Sequence, residues 1–384
     1  MKVGVFCSDV SGAFDRVCLP RLVAKLQAAG LCAEVVSLLS SWLRKRVARV
    51  VVEGDKSAEM ELANMVFQGT VWGCILWNVF YADSRRAIEE TGHEEIVYAD
   101  DLNAWKVYGA NVANSEVMAE SAMCQANLHE WGGANRVSFD PSKESKHVLS
   151  FTQPAGGNFR ILGALYDPSL AMKDAVVEVA AQCRWKLQTL LRSRRFYCDA
   201  DMVMMYKSHV LSYIEYKTPA LYHACATVLA DIDVVQRRFM SEIGISEIDA
   251  LMAFRLAPLR TRRDIAMMGV IHRAALGKGP VQLKRLFPPA CQEGRRSTRA
   301  AVRHSREREI MIERTQLCGI ERSAFGLARV YNMLPQWIVD AEDVSVFQSR
   351  LQYVVKGRAA GGCADWADTF SPRLPRESHP ARRL

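Results

Sequence analysis

Residues 1–165 predict an α+β fold, and residues 166–355 predict a mostly α-helical one. Three observations carry this expectation. First, apolar β-prone runs (VGVFCSD at 3–9, EIVYAD at 95–100, LNAWKVY at 102–108, KHVLSF at 146–151, FRILGALY at 159–166) are separated by amphipathic stretches of helical period. Second, strand signals fade after Asp167, and helical periodicity takes over at 172–195, 200–216, 227–243, 259–276, 297–314 and 342–355. Third, apolar residues make up 49% and charged residues 24%, enough to bury ordinary cores over 384 residues. That length suits two or three domains.

Each element has a local reason. The run 3–9 is apolar and β-prone, which predicts a buried strand. Pro20 opens an amphipathic helical segment that Gly30 closes, and 33–46 predicts a second helix. The stretch VARVVVEGDKSAEMEL (47–62) predicts a hairpin turning at Gly54-Asp55. Thr70 is placed to cap a helix over Val71–Glu90, with Trp72, Leu76 and Phe80 as its core stripe. A buried hairpin at 95–108 and a helix over Ser115–Trp131 follow. Pro280–Pro289 predicts a linker. The Gly-, Arg- and Pro-rich residues 356–384 predict a disordered tail.

Bulk properties exclude several classes. The charge of +8 fits a polyanionic partner without requiring one. Eleven cysteines contain no C-x-x-C pair, so zinc ribbons and knuckles fail on spacing. Free thiols in a reducing compartment are expected, hence an intracellular protein, nuclear or cytoplasmic and not secreted. Residues 64–82 carry no formal charge, but Asn64, Gln68, Gly69, Gly73 and Asn78 interrupt them. A loop and a buried helix are expected there, not a membrane span.

The acids raise the chemical question. Asp100 and Asp101 stand side by side between two apolar runs, and Asp9 ends a third. Adjacent carboxylates raise each other's energy. A solvated turn tolerates this, whereas a divalent cation converts it into attraction. If the strands are neighbours, three carboxylates converge at one sheet end, a hard-oxygen set suited to Mg²⁺. Two such ions about 4 Å apart serve phosphoryl transfer.

In order, DVSGAFD (9–15), QGTVWGCILW (68–77), YADD (98–101), FDPSKES (139–145) and ILG (161–163) resemble the blocks of reverse transcriptases, most nearly those of non-LTR, LINE-type retrotransposons. The matched blocks cover about residues 3–165. The resemblance implies a right-hand polymerase palm, an antiparallel sheet with packed helices, at 1–165. It implies a helical thumb-like region at 166–280 and a helical C-terminal extension at 281–355. It also implies RNA-directed DNA polymerase activity using Mg²⁺ (Mn²⁺ being the alternative), an RNA template, a DNA primer and deoxynucleoside triphosphates.

Roles carry over residue by residue. Asp9 and Asp100 would ligate metal, Asp101 would complete the site and Val10 would offer its backbone carbonyl. Phe14 would lie beneath the sugar and exclude a 2′-hydroxyl; core packing is the competing reading. Asp15 is assigned a structural role. Gln68 and Gly69 would line the nascent base pair, although Cys74-Ile75 stands where the family carries proline. Lys143 would protonate the leaving pyrophosphate, against a plain loop lysine. Leu162 and Gly163 would grip the primer. The basic segment 184–195 would track a duplex, and Arg296, Arg299, Arg303 and Arg306 share a helical face that could meet phosphates.

Position 9 leaves no room for the basic fingers that precede such a palm. The expectation is therefore an N-terminally truncated enzyme whose stand-alone activity is open. A non-catalytic nucleic-acid-binding remnant is the alternative, and a metal-dependent phosphohydrolase is disfavoured because no further acidic or His-rich cluster accompanies the acids.

Overall fold

A computed structural model describes residues 1–62, 65–290, 304–310 and 318–384. The chain forms two compact units, Met1–Leu170 and Ala171–Leu384.

In the first unit, strand β1 (Lys2–Asp9) leads to helices α1 (Leu19–Ala28) and α2 (Ala33–Leu43). Two short ribbons follow. Strand β2 (Val47–Ala48) pairs with β5 (Met60–Glu61), and β3 (Val51–Val52) pairs with β4 (Asp55–Lys56). Glu53 and Gly54 turn the inner ribbon at φ 53° and 97°, the paired left-handed conformation of a tight hairpin. Next come α3 (Gly73–Tyr81), α4 (Ser84–Glu89), β6 (Glu94–Tyr98), β7 (Asp101–Tyr108), α5 (Asn114–Asn135), β8 (Ser145–Leu149), β9 (Phe159–Ile161) and β10 (Ala164–Tyr166).

The main sheet is antiparallel, in the order β6-β7-β1-β8. Strand β1 is buried along most of its length because both faces are covered. Phe6 joins Leu102, Ala104, Trp77, Phe80 and Leu128 under the helices. Val5 and Cys7 meet Phe159 on the other face, with Val3, Trp105, Ile161 and Tyr166 beside them.

Four local expectations are corrected. The hairpin at 95–108 is buried only on β7. Strand β6 is the sheet edge, and Ile96, Val97 and Tyr98 are exposed. The helix expected over Val71–Glu90 breaks at Ala82-Asp83. There the Asp83 carboxylate accepts from Lys25 Nζ (2.7 Å) and Trp131 Nε1 (3.0 Å), tertiary bonds that a helical window does not register. Trp72 is 45% exposed and takes the cap position itself, whereas Leu76 and Phe80 are buried. Thr70 is therefore not the cap residue, though its hydroxyl accepts from Gly73 N–H (3.1 Å) and donates to Phe67 O (2.8 Å). Glycine is needed at 73, because a Cβ would lie 2.5 Å from that same carbonyl oxygen.

The second unit comprises α6 (Lys173–Leu191), α7 (Asp199–Tyr206), α8 (Ser212–Leu221), α9 (Ala226–Ile243), α10 (Glu247–Phe254), α11 (Leu259–Ala275), α12 (Val281–Leu286), α13 (Cys318–Glu321), α14 (Ala324–Tyr331), α15 (Gln336–Val339) and α16 (Val344–Ala360). A π-helical stretch, Lys207–Leu211, joins α7 to α8. Its centre is α11, buried over most of its length and packed against α14 and α16. His272 of α11 shows how polar atoms are satisfied there. Its ring stacks on Phe347 (4.0 Å) and pairs with Tyr331 Oη and Ala341 O, each at 2.9 Å. Burial lowers its pKa to about 4, so it packs as a neutral ring.

Three sequence expectations change in this unit. Residues 356–384 are not a disordered tail. Phe370 and Ala381 are fully buried in the α11 core, and Thr261 donates to Ala367 O (2.6 Å). A few apolar residues suffice because a ready groove receives them, which composition cannot register. The linker expected at Pro280–Pro289 contains α12, followed by buried Phe287. Of the arginine stripe, Arg296, Arg299 and Arg303 lie outside the described residues, as does most of the helix expected at 297–314. Arg306 is described and spends its guanidinium on Val339 O (2.7 Å) and Ala341 O (2.8 Å), which is a structural use. Among the described residues no helix is long and apolar enough to cross a membrane.

Candidate active site

Strand β1 ends at Asp9 and β7 starts at Asp101, and the antiparallel register sets these two residues opposite each other. Alternation then places both side chains on the sheet face of Val5, Cys7 and Trp105. The turn before β7 is held from two sides. Ala99 has φ 57°, and its carbonyl accepts from Trp77 Nε1 at 2.7 Å. The Asp100 carbonyl accepts from Val10 N–H at 3.3 Å. A tryptophan on α3 thus locks the acidic turn, and Phe14 packs on that indole at 5.7 Å.

Lys143 comes from the loop before β8. Its ammonium donates to Asp9 Oδ2 at 2.7 Å. The loop is preset: Asp140 N–H donates to Asp9 O (3.0 Å), and Asp140 Oδ1 accepts from Ser142 N–H (3.0 Å) and Oγ (2.6 Å). The lysine is therefore neither free nor merely solvated. The hydrogen bond to Asp9, and then the charge of Asp9, raise its pKa.

Asp101 is raised from its ordinary range. Burial is the largest cause, followed by the charges of Asp9 and Asp100 and a hydrogen bond with Asp9; Lys143 opposes these. The three carboxylates therefore feel one another across the sheet end. Their oxygens are the hard donors that Mg²⁺ takes, so the residues fit such an ion by donor type and charge. Among the described residues no group of three or more His, Cys, Asp or Glu is already spaced to hold one.

The raised Asp101 pKa gives a stability prediction. The native state holds this proton more tightly than the unfolded chain, so the associated stability is present at low pH and is lost as pH rises through the folded value. Asp101→Asn is expected to raise the melting temperature near neutral pH, and to lose that advantage below about pH 4. Thermal denaturation at the two pH values checks it, and an equal shift at both would refute the coupling.

The other residues singled out in the sequence are placed as follows. Val10 is buried, with its backbone at the turn. Gln68 and Gly69 form an exposed turn ahead of α3, with Gly69 at φ 79°. Leu162 and Gly163, at φ 48° and 73°, are the tip of hairpin β9–β10, which packs on the sheet face that Asp9 and Asp101 share. Sequence reasoning missed Glu144. Its nearly buried carboxylate accepts from Ser8 Oγ (2.9 Å) and Gln125 Nε2 (2.7 Å) and pairs with His129 Nε2 (2.8 Å), tying β1 to α5 behind the loop. Its position beside Lys143 was the one available signal.

Comparison with known proteins meets this geometry. Residues 2–134 match the family model described as reverse transcriptase (RNA-dependent DNA polymerase). The RNA-directed DNA polymerase from mobile element jockey of Drosophila funebris is 24% identical over 261 residues, covering 62% of this chain and 28% of that protein. Its Drosophila melanogaster counterpart is 35% identical over 104 residues, covering 26% of this chain and 11% of that protein. The chain thus spans less than a third of the length of either relative. The first three blocks, with Asp9, Asp100 and Asp101, fall within the matched residues 2–134, whereas the block of Lys143 and the tip at 161–163 lie beyond them. Residues 2–134 are therefore similar to the reverse transcriptase (RNA-dependent DNA polymerase) family, and the chain is similar to the RNA-directed DNA polymerases of the jockey mobile element.

Proposed function

We propose that the first unit carries the nucleotidyl-transfer site of an RNA-directed DNA polymerase, which extends a DNA primer on an RNA template with deoxynucleoside triphosphates. The observation that carries this reading is the register that sets Asp9 against Asp101, with the Lys143 ammonium on Asp9. Residues 1–165 serve as the palm, 166–280 as the thumb and 281–355 as a C-terminal extension.

Asp9, Asp100, Asp101 and the Val10 carbonyl are the groups that would hold Mg²⁺, or Mn²⁺ in its place. Bound there, the ion would polarise phosphoryl oxygens and favour the alkoxide of the primer terminus. The protein's own groups do the rest. Lys143 stays protonated at neutral pH, so its Nζ can give a proton to the departing pyrophosphate. Phe14, braced on Trp77, would refuse a ribose 2′-hydroxyl. Gln68 and Gly69 face the incoming base pair, and the Leu162-Gly163 tip steadies the primer strand. Primer extension on an RNA template by the full chain tests the reading. Template-directed addition supports it, and equal activity from Asp100→Ala overturns it.

One observation favours the alternative of a non-catalytic nucleic-acid binder. The C-terminal end of α6 and the turn after it expose Trp185, Phe196 and Tyr197 among Arg184, Arg192 and Arg195. The Arg195 guanidinium lies 4.7 Å from the Phe196 ring centre. Aromatic faces interleaved with arginine suit single strands. Arg192→Gln with Arg195→Gln is expected to reduce the slope of log affinity against log salt by about one per arginine, measured by anisotropy of labelled RNA. An unchanged slope would remove this patch from the interface.

A further inference from the structure

The second unit holds a cleft of about 570 Å³ whose lining is cationic. Arg322 precedes α14, Arg329 lies on α14, and Arg373 and Arg376 come from the segment after α16. Glu321 is the one acid among the lining residues, 3.9 Å from Arg329. His379 also lines the cleft. It is buried and held neutral, with Nε2 on Ser371 O at 2.9 Å. The four guanidiniums therefore exceed the local negative charge by three.

These arginines are not fully used by the fold. Arg373 gives Nη2 to Tyr222 O (2.8 Å) and Ala224 O (3.1 Å), which fixes its plane. Its Nε and that of Arg322 are buried with no hydrogen-bond partner among the described residues. Those two Nε atoms are shielded from solvent, so it is the clustered positive charge of the four guanidiniums that suits an anion in the cleft. Ala226, the first residue of the eighteen-residue helix α9, also lines the cleft, so the positive end of the helix dipole adds to the field. The volume lies within the range of pockets that enclose a small ligand.

We propose that this cleft is a phosphate-binding site that seats backbone phosphates of a nucleic-acid strand. A free nucleoside triphosphate offers the same phosphate oxygens, and the test separates the two sources. The site stands on its own arginines and does not rest on the polymerase reading.

Cys225 supplies a local reporter. It is the residue just before α9, partly exposed, with its thiol pKa lowered by the Thr227 hydroxyl, then the Val228 N–H and, more weakly, Arg322. An anion on Arg322 offsets that last effect and crowds the thiol. Alkylation of Cys225 in the full chain is followed by peptide mass spectrometry, with a twelve-nucleotide RNA or with inorganic tripolyphosphate. Slowed alkylation with the RNA alone supports the strand. Slowed alkylation with tripolyphosphate alone supports the phosphate site but moves its ligand to the free nucleotide.

The variant Arg322→Gln with Arg376→Gln is expected to weaken this protection by at least about tenfold in ligand concentration per arginine. Arg376 is exposed, so Arg376→Gln alone keeps the test valid if the double variant folds poorly. The ratio of rates with and without ligand is compared, because losing Arg322 alters the thiol itself. Asp100→Ala is expected to leave the protection intact, which separates this site from the acidic one. Absence of protection by both ligands, or protection unchanged in the arginine variants, overturns the proposal.

Discussion

Asp9→Ala is expected to lower template-directed primer extension by about 10²–10³-fold, the loss seen when one preorganised electrostatic group leaves an active site. Asp9 is the hub of the cluster. Its carboxylate meets Lys143 Nζ at 2.7 Å and shares a hydrogen bond with Asp101, while its backbone carbonyl receives Asp140 N–H at 3.0 Å. Alanine removes the first two and keeps the third, so the loop before β8 stays anchored and the fold survives. Lys143→Ala is expected to cost about 10²-fold, the lower end for a general acid, and to remove the alkaline limb of the pH profile. That limb reports deprotonation of an ammonium whose pKa Asp9 has raised. Labelled-primer extension across pH measures both variants, with circular dichroism melts to check folding. Full activity in Asp9→Ala, or an unaltered pH profile in Lys143→Ala, would sink these assignments.

The second large effect concerns stability. Asp264 on α11 is fully buried, and its carboxyl is pushed up to about 7. Burial is the main cause. The hydrogen bond donated by Tyr222 Oη at 2.7 Å, then Arg373 and Arg263, pull it back down, and Asp368 adds to the rise. Arg263 cannot offset the burial fully because Asp233 already holds it at 2.7 and 3.0 Å. The raised value means that the native state binds this proton more tightly than the unfolded chain. Stability of the second unit is therefore highest below the unfolded carboxyl range. It falls as pH rises toward 7 and levels off above that. From 3.8 to about 7 the change is on the order of 4 kcal/mol.

Asp264→Asn keeps an acceptor for Tyr222 and cannot ionise. It is expected to stabilise the second unit above neutral pH and to flatten its pH dependence. Hydrogen exchange of α11 amides between pH 5 and 8, with and without the substitution, reads this unit separately from the first. A wild-type unit whose protection rises across that interval would contradict the assignment.

Much of the site was legible in the sequence because it is carried by strand ends. A run of β-prone residues closing on Asp9, and another opening on Asp101, fix both acids once the strands pair. Lys143 was legible by its block, but its tie to Asp9 was not, since the two lie 134 positions apart. Glu144 escaped notice because an acid beside a lysine in a loop looks solvated. Only the tertiary structure collects Ser8, Gln125 and His129 around it. The break at Asp83 and the burial of Phe370 were hidden for the same reason: each depends on partners from distant segments.

The residues by themselves determined an α+β first part, a helical second part, the order of the blocks and the acids at stake. These follow from periodicity, turn chemistry and charge, which act over a few neighbours. The tertiary structure alone decided which carboxylates meet, which lysine faces them, that residues 356–384 complete a core, and that four arginines from separate segments share one cleft. Register, burial and unpaired donors are properties of the packed chain, because a hydrogen bond or a desolvated charge has its energy only once its neighbours are in place.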